Sequence, residues 1–451
     1  MRLERLEIRG MRLAGPQPRA LDLRPGSNVA LLLGDNACGK TTFLDAAAYA
    51  LDAFVSGMTG SPLRRIPASD VHIDAEGRMA EEMGIRWRLT TPAGEALEAC
   101  ITRSGAGRAR KSRLGGIRSY AASLREEGAT LPVAAYYGTG RGHIKASLGS
   151  RPFRRAQSRT DCYRHALDPS SPLRGLFRWF ALMEDFERKR GEALRDPERT
   201  LPQLDAVRRA AGVFVGDRFH SPRIASQPWR FVMSGRGGIC LDRETRIEQM
   251  SDGYRILLAM AADIAARMAQ ANPAMPDPLQ TPGIVLIDEI DLHLHPKWQR
   301  TVVGNLAEAF PNVQFILTTH SPVVVAGALG KAQIIRLADD GEPSGGLSVD
   351  GDLQGCDVGQ LLLSGLFGLG SLRAPMWDGK LSRRRELLAR TSLSGDEKAE
   401  LAALDRELLR LNQGHSPEEA RAAALIEELA RRLGTDMQTP MQGQSPAMPE
   451  K

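Results

Sequence analysis

Nine residues narrow the folds open to this chain more than any others: Gly34, Asp35, Asn36, Ala37, Cys38, Gly39, Lys40 and Thr41 fit the pattern G-x-x-x-x-G-K-[ST], and Thr42 follows it directly. The pattern works only between a strand and a helix, and the flanks predict both. Val29 to Leu33 is an apolar run that reads as a strand, and Leu44, Ala47, Ala48 and Leu51 recur at helical spacing, predicting a helix from Thr41 through Ala53. The glycines let successive backbone N–H groups curl toward a phosphate chain, and the helix N-terminus adds its partial positive charge. In such a cradle Lys40 reaches the outer phosphates of a nucleotide and the Thr41 hydroxyl ligates Mg²⁺, while Asn36 and Thr42 assist by hydrogen bonding. A chance glycine turn is the plainer alternative, and the strand–loop–helix setting argues against it.

Three further features follow in an order that the loop makes meaningful. Gly283 to Ile287 is an apolar strand ending in Asp288 and Glu289. Asp288 is placed to hold the metal, and Glu289 to orient and deprotonate an attacking water; the bland rival is two acids that merely end a buried strand. Ser251, with Gly253 two positions on, opens a helix expected to run to about Gln270. A hydroxyl, free N–H groups and the helix dipole there suit a γ-phosphate, although Ser-Asp-Gly is commonly only an N-cap. If this tip and the loop of its own chain lie at opposite ends of the fold, the tip serves a second chain. His320 follows the strand Gln314 to Thr319, where an imidazole at the edge of a parallel sheet can bond a phosphate and position water; a capped core histidine is the rival. His293 and His295 lack a third ligand at workable spacing, so a zinc pair is rejected.

At 451 residues, 42% apolar and 25% charged, the chain can bury a large core, and disorder is excluded for most of its length. Its first ten residues alternate charge with Leu and Ile, and no run of about 18 apolar residues occurs, so a cytoplasmic protein without a membrane partner is expected. Five dispersed cysteines, Cys38, Cys100, Cys162, Cys240 and Cys356, suggest neither disulfides nor zinc. The net charge of +6 is unevenly spread: residues 101–165 carry fourteen Lys and Arg against three acids. Such a block favours polyanions such as nucleic acid, with a solvated loop as the blander reading.

The opening reads as a β-meander of Leu3 to Arg9, Ala20 to Leu23 and Val29 to Leu33. Ile85 to Leu89 and Leu131 to Tyr137 are further strands, separated in part by a loop of Gly, Ser and Arg over 104–116. Over 160–215 the spacing is helical, with Leu176, Phe177, Phe180, Leu182 and Phe186 as an apolar stripe. Trp229 to Met233 and Ile239 to Leu241 read as a hairpin. Ile284 to Ile287 and Val313 to Leu317 flank a helix from Lys297 to Phe310, an alternation that implies a parallel sheet. Ser394 with Glu397, and Ser416 with Glu419, mark helix starts within 377–434, and the last seventeen residues read as disordered.

With those four elements in order, the sequence resembles ABC-type ATPase heads of the SMC, RecF and OLD group. It looks still more like ATPases of bacterial antiphage operons, of the Septu PtuA and retron-associated kind. The resemblance is carried by Leu131 to Arg141 (LPVAAYYGTGR), Gln249 to Arg255 (QMSDGYR), Ile287 to Gln299 (IDEIDLHLHPKWQ) and Phe315 to Pro322 (FILTTHSP). It implies an α/β P-loop head over 1–345, with a mixed, largely parallel core sheet and an antiparallel β-subdomain. Within it fall a β-rich lobe at 1–150, a helical lobe at 151–275 and the Asp288 and His320 strands at 276–345; a helical appendage follows at 346–434. It implies ATP and Mg²⁺ as ligands, ATP hydrolysis, and a homodimer or higher even oligomer. In that assembly Ser251 contacts the opposite subunit's nucleotide, and Leu292 to His295 form the D-loop.

The resemblance further implies an ATP-gated regulator paired with a separately encoded effector such as a nuclease, because 331–451 lack the clustered acids that end OLD-type nucleases. DNA repair or chromosome maintenance, as in RecF and SMC relatives, is the competing reading, although no long heptad arm interrupts the head. A transporter subunit is disfavoured by Ile290-Asp291-Leu292-His293 after the second acid. Cys38 departs from the small Ser or Gly usual at its position. No Gln follows a strand where the family's metal-coupling residue sits, which leaves Arg141 or Thr139 as substitutes.

Overall fold

The computed structural model describes residues 1–408 except 106–109, 127, 143–157, 170–174, 197–199, 216–218, 226–229, 236–243, 338–346, 349–352, 354, 370–374 and 391–392. Five antiparallel strands, β1 (Arg2–Arg9), β2 (Arg19–Asp22), β4 (Glu82–Thr90), β5 (Ala96–Ser104) and β6 (Arg110–Arg113), form one sheet in the order β2-β1-β4-β5-β6. Leu3, Leu6, Ile8, Ile85, Trp87 and Leu89 are buried on one face. On the other face Arg5, Arg9, Arg86 and Arg88 are exposed and pair with Asp22, Glu82, Glu7 and Glu98. Alternation of this kind covers one side of a sheet and leaves the other wet.

The second sheet holds β3 (Val29–Leu33), β7 (Val133–Tyr137), β11 (Gly283–Ile287), β12 (Val313–Thr318), β13 (Gln333–Arg336) and β14 (Leu347–Ser348), in the order β14-β13-β3-β12-β11-β7. All neighbours are parallel except β14. β3, β7, β11 and β12 are buried at every residue. This corrects the expected three-strand meander. β1 and β2 pair with each other, but an all-apolar strand such as β3 needs cover on both faces and finds it in the parallel sheet.

Helix α1 (Lys40–Thr59) supplies much of that cover, touching β1 and β4 on one side and β7, β11 and β12 on the other. Its buried residues run right round it, among them Phe43, Leu44, Ala46, Ala47, Tyr49, Ala50 and Phe54, as a helix between two sheets requires. The loop expected over 104–116 is also corrected: β6 pairs with β5, Cys100 opposite Arg113, and α2 (Gly115–Ser123) begins inside the stretch. Lys111 and Arg113 are exposed on this edge strand, where cations deter pairing with another chain.

Between β7 and β11 the chain forms α3 (Leu176–Leu194), α4 (Pro202–Val215) and α5 (Asp252–Ala271), with a three-stranded antiparallel sheet of β8 (Phe219–Ala225), β9 (Arg230–Gly235) and β10 (Glu244–Arg246). Phe177 and Phe180 both meet Phe231 of β9 edge-on, with ring centroids 5.3 Å apart. Phe186, expected on the same stripe, is exposed. The described partners of β9 are β8 and β10, with Ser234 opposite Glu244; the expected partner, Ile239 to Leu241, lies outside the described residues.

The single helix expected over Lys297 to Phe310 is two, α6 (Pro296–Gln299) and α7 (Val302–Ala309). Between them the Arg300 carbonyl approaches Gly327 of α8 (Pro322–Ala328) so closely that a Cβ there would lie 2.0 Å away. Contacts divide the chain into Met1–Phe367 and Gly368–Lys451. The first unit ends with α9 (Val358–Leu363); the second contains α10 (Pro375–Leu388) and α11 (Gly395–Leu408). The expected capping box starts α11: Glu397 N donates to Ser394 Oγ at 3.2 Å, and Ser394 N to Glu397 Oε2 at 2.9 Å. The Ser416 helix start and the tail lie outside the described residues. Among the described residues no helix is long and apolar enough to cross a membrane.

Candidate active site

Because β3, β7, β11 and β12 run parallel, their C-terminal ends share one edge of the sheet, the edge where ligands bind in folds of this kind. β3 delivers the glycine-rich loop there. Gly34 has φ 146°, Ala37 71° and Gly39 99°, a left-handed curl that L side chains resist. A Cβ on Gly34 would lie 2.5 Å from Cys38 Sγ and 2.9 Å from the Leu337 carbonyl. Lys40 is only 6% exposed, and its ammonium donates to the carbonyls of Gly34 and Asp35, both at 2.8 Å.

β11 delivers the acids. Asp288 is 4% exposed; its Oδ2 accepts from Thr41 Oγ1 at 3.0 Å and its Oδ1 from Thr318 Oγ1 at 2.6 Å. Glu289 sits in the left-handed region at φ 47° and donates its N–H to Thr318 Oγ1 at 2.7 Å. Arg141, 3% exposed in the turn after β7, donates to the carbonyls of Gly138, Asp288 and Glu289. Burial pushes its guanidinium below the usual value, against the pull of Asp288, Asp291 and Glu289.

β12 ends at Thr318, and the exposed His320 follows at the same edge, so it is not a core histidine. Thr319 Oγ1 donates to Asp291. Gln299 donates to the Leu294 carbonyl at 2.9 Å and accepts from Ser321 Oγ at 2.7 Å, tying the 291–295 turn to the residues around His320. His295 caps α6, its Nδ1 accepting from Lys297 N at 3.2 Å, and among the described residues no cluster of three His, Cys, Asp or Glu could hold a metal. Thr41 and Asp288 would fit a different kind of ion, a hard cation such as Mg²⁺, to which they would offer a hydroxyl and a carboxylate oxygen.

Ser251 is the exposed N-cap of α5, yet its side chain accepts no hydrogen bond from the helix, unlike an ordinary serine cap. Gly253 is buried, and a Cβ there would lie 2.8 Å from the His293 carbonyl and 2.9 Å from the Trp298 ring. Packing against its own chain therefore accounts for glycine at 253, a reason the sequence pattern does not reveal. Deeper along α5, Asp263 accepts from Tyr137 Oη and Arg267 Nε, both at 2.7 Å, which ties this helix to the end of β7. Thr318, Gln299 and Asp291 were not singled out from sequence; two hydroxyls ending an apolar strand, Thr318 and Thr319, were the available signal.

Residues 5–160 match a family model described as "AAA domain", and residues 241–326 one described as "AAA domain, putative AbiEii toxin, Type IV TA system". In these two stretches the chain is similar to AAA-family P-loop ATPase domains, on a fold with one largely parallel and one antiparallel sheet. More particularly, the chain is homologous to retron ATPases and to Septu PtuA. It is 42% identical to "Retron Vc95 probable ATPase" of Vibrio cholerae serotype O1 biovar El Tor over 130 residues, 29% of this chain and 24% of that protein. It is 28% identical to "Retron Ec83 probable ATPase" of Escherichia coli over 365 residues, 67% of this chain and 66% of that protein. It is 37% identical to "Septu protein PtuA" of Bacillus mycoides (strain KBAB4) over 125 residues, 28% of this chain and 17% of that protein. The chain thus matches between 17% and 66% of the length of these relatives. Among solved structures, an SMC head bound to the C-winged helix domain of ScpA aligns at 17% identity and TM-score 0.48, over 78% of this chain and 99% of that one.

Proposed function

We propose that this chain binds ATP with Mg²⁺ at residues 34–42 and hydrolyses it, and that two chains face head to tail so that Ser251 of each closes the other's site. The observation that carries the reading is the meeting of Lys40, Thr41, Asp288 and Glu289 at one sheet edge, with Thr41 Oγ1 3.0 Å from Asp288 Oδ2. Loop N–H groups receive the phosphates, and Lys40 exchanges the Gly34 and Asp35 carbonyls for phosphate oxygens. Thr41 and Asp288 hold the metal, which offsets charge on the phosphates. Glu289 orients the attacking water and accepts its proton, and His320 hydrogen-bonds the γ-phosphate. Asn36 and Thr42 add hydrogen bonds to the phosphate chain. The exposed Ser251 hydroxyl, uncommitted to capping, supports the two-chain arrangement.

Homology to retron ATPases and to PtuA supports a role in bacterial antiphage defence, as an ATP-gated regulator of a separate effector such as a nuclease. A RecF- or SMC-like role in DNA repair or chromosome maintenance is the second reading, favoured by the exposed cations Lys111, Arg113 and Arg118. ATPase activity stimulated by DNA and falling steeply with salt would favour it. The deciding experiment is on the full chain. Lys40→Ala should lose nucleotide binding, while Glu289→Gln should bind ATP and elute from gel filtration as a dimer. A Glu289→Gln protein that turns over ATP like the parent would remove Glu289 as the base. Copurification with products of adjacent genes tests for the effector.

A further inference from the structure

Arg141 reaches the two acids through their backbone. Its guanidinium forks onto the Asp288 carbonyl with one nitrogen and the Glu289 carbonyl with the other, and the first nitrogen also bonds the Gly138 carbonyl at 3.0 Å. Two successive carbonyls can face one planar group here because the chain turns at Glu289, whose φ of 47° is one that L residues resist. The opposite side of that residue is held too: Glu289 N donates to Thr318 Oγ1 at 2.7 Å, and Ile290 N to the Thr318 carbonyl at 2.9 Å. Arg141 is 3% exposed, and its Nε is buried without a hydrogen-bond partner. A buried cation with an unsatisfied donor is costly, and filling space does not explain its use.

We propose that Arg141 is a positioning residue for hydrolysis: it fixes the left-handed backbone at Glu289 and thereby aims the Glu289 carboxylate at the attacking water. The assignment rests on the hydrolysis reading above. It differs from a residue that couples the metal to the helical lobe, since the Arg141 hydrogen bonds go to peptide carbonyls. A lysine cannot reproduce the fork, because its ammonium is a single point of charge.

The test is steady-state ATP hydrolysis by the full chain carrying Arg141→Met or Arg141→Lys, with melting temperature as a check on folding. Misplacing a catalytic group by about 1 Å can slow a reaction on the order of a hundredfold, so kcat should fall by about that factor in Arg141→Met, with KM for ATP little changed. Arg141→Lys keeps the charge and most of the bulk; should Arg141→Met fail to fold, it reads the same loss of kcat. In a Glu289→Gln background either change should produce no further loss, because both act through one group. Guanidinium ion should restore part of the activity of Arg141→Ala. Losses that multiply with Glu289→Gln, or a raised KM at unchanged kcat, would overturn the assignment while leaving hydrolysis in place. A wild-type chain that does not hydrolyse ATP would overturn both.

Discussion

The hydroxyl of Thr41 and the carboxylate of Asp288 meet at 3.0 Å although they lie 247 positions apart in sequence. That contact joins the glycine-rich loop to the strand ending in acids and brings to one point the two residues proposed to hold a magnesium ion. Asp288→Asn keeps the size of the side chain and removes its charge. Weakening a metal's surroundings typically costs about 10–100-fold in affinity, so the Mg²⁺ concentration for half-maximal ATP turnover should rise by about that much, and chelation should abolish turnover by the wild type. A magnesium titration that superimposes on the parent's would exclude Asp288 from the site.

Gly253→Ala is expected to destabilise the chain. The added Cβ would lie 2.8 Å from the His293 carbonyl and 2.9 Å from the Trp298 ring, and overpacking of this sort costs about 1–3 kcal/mol. Gly304→Ala is the control. Its Cβ would meet only the mobile end of Lys331, at 3.1 Å, and alanine is favoured over glycine inside a helix by about 0.5–1 kcal/mol. Urea denaturation should therefore separate the two variants, and equal midpoints would mean that the 292–298 segment yields to the extra methyl.

What could be read from the sequence was local. The loop at Gly34 to Thr42, the apolar strand before Asp288 and the Ser394 capping box are each contained in a dozen residues, and apart from Ala37 at φ 71° each has the conformation its residues prefer. The rest depended on partners far away. Whether Val29–Leu33 joins Arg19–Asp22 or Val313–Thr318 depends on which sheet can cover both its faces. The Arg110–Arg113 strand carries no apolar residue and is specified by β5 alongside. Arg141 meets Asp288 across 147 positions, and Thr318 meets it across 30. No spacing rule anticipates those pairings, so a residue type known to be unusual could be noticed there without its task being assigned.

Stability should depend on pH through Glu184 of α3. Its carboxylate accepts from Ile224 N at 2.7 Å, yet burial pushes the group up to about 7, with Glu187 adding to the rise and Ile224 and Arg208 opposing it. A carboxyl raised above its ordinary 4.5 binds its proton more tightly in the folded state. Its contribution is therefore fully present below pH 4.5 and is lost as pH rises toward about 7. Glu184→Gln removes that dependence, so across this window the variant should gain stability relative to the wild type and hold a constant difference above it. Urea melts at a series of pH values measure the difference, and parallel curves for the two proteins would contradict it.

Ser251 offers the sharpest check on the two-chain site, because it is exposed and its side chain makes no cap hydrogen bond to α5. Ser251→Arg should leave the fold of the single chain within about 0.5 kcal/mol of the parent, as surface changes generally do. The same change should prevent the ATP-dependent dimer of Glu289→Gln, since bulk and charge would enter the space that a partner's nucleotide occupies. Lys40→Ala and Ser251→Arg should each be inactive alone. Mixed, they can form a head-to-tail pair in which an intact Lys40 faces an intact Ser251 in one of the two sites, while the other site carries both lesions. Activity that returns on mixing therefore requires each site to be built from two chains. If mixing restores nothing while Ser251→Arg alone stays active, the tip of α5 plays no part in a partner's site.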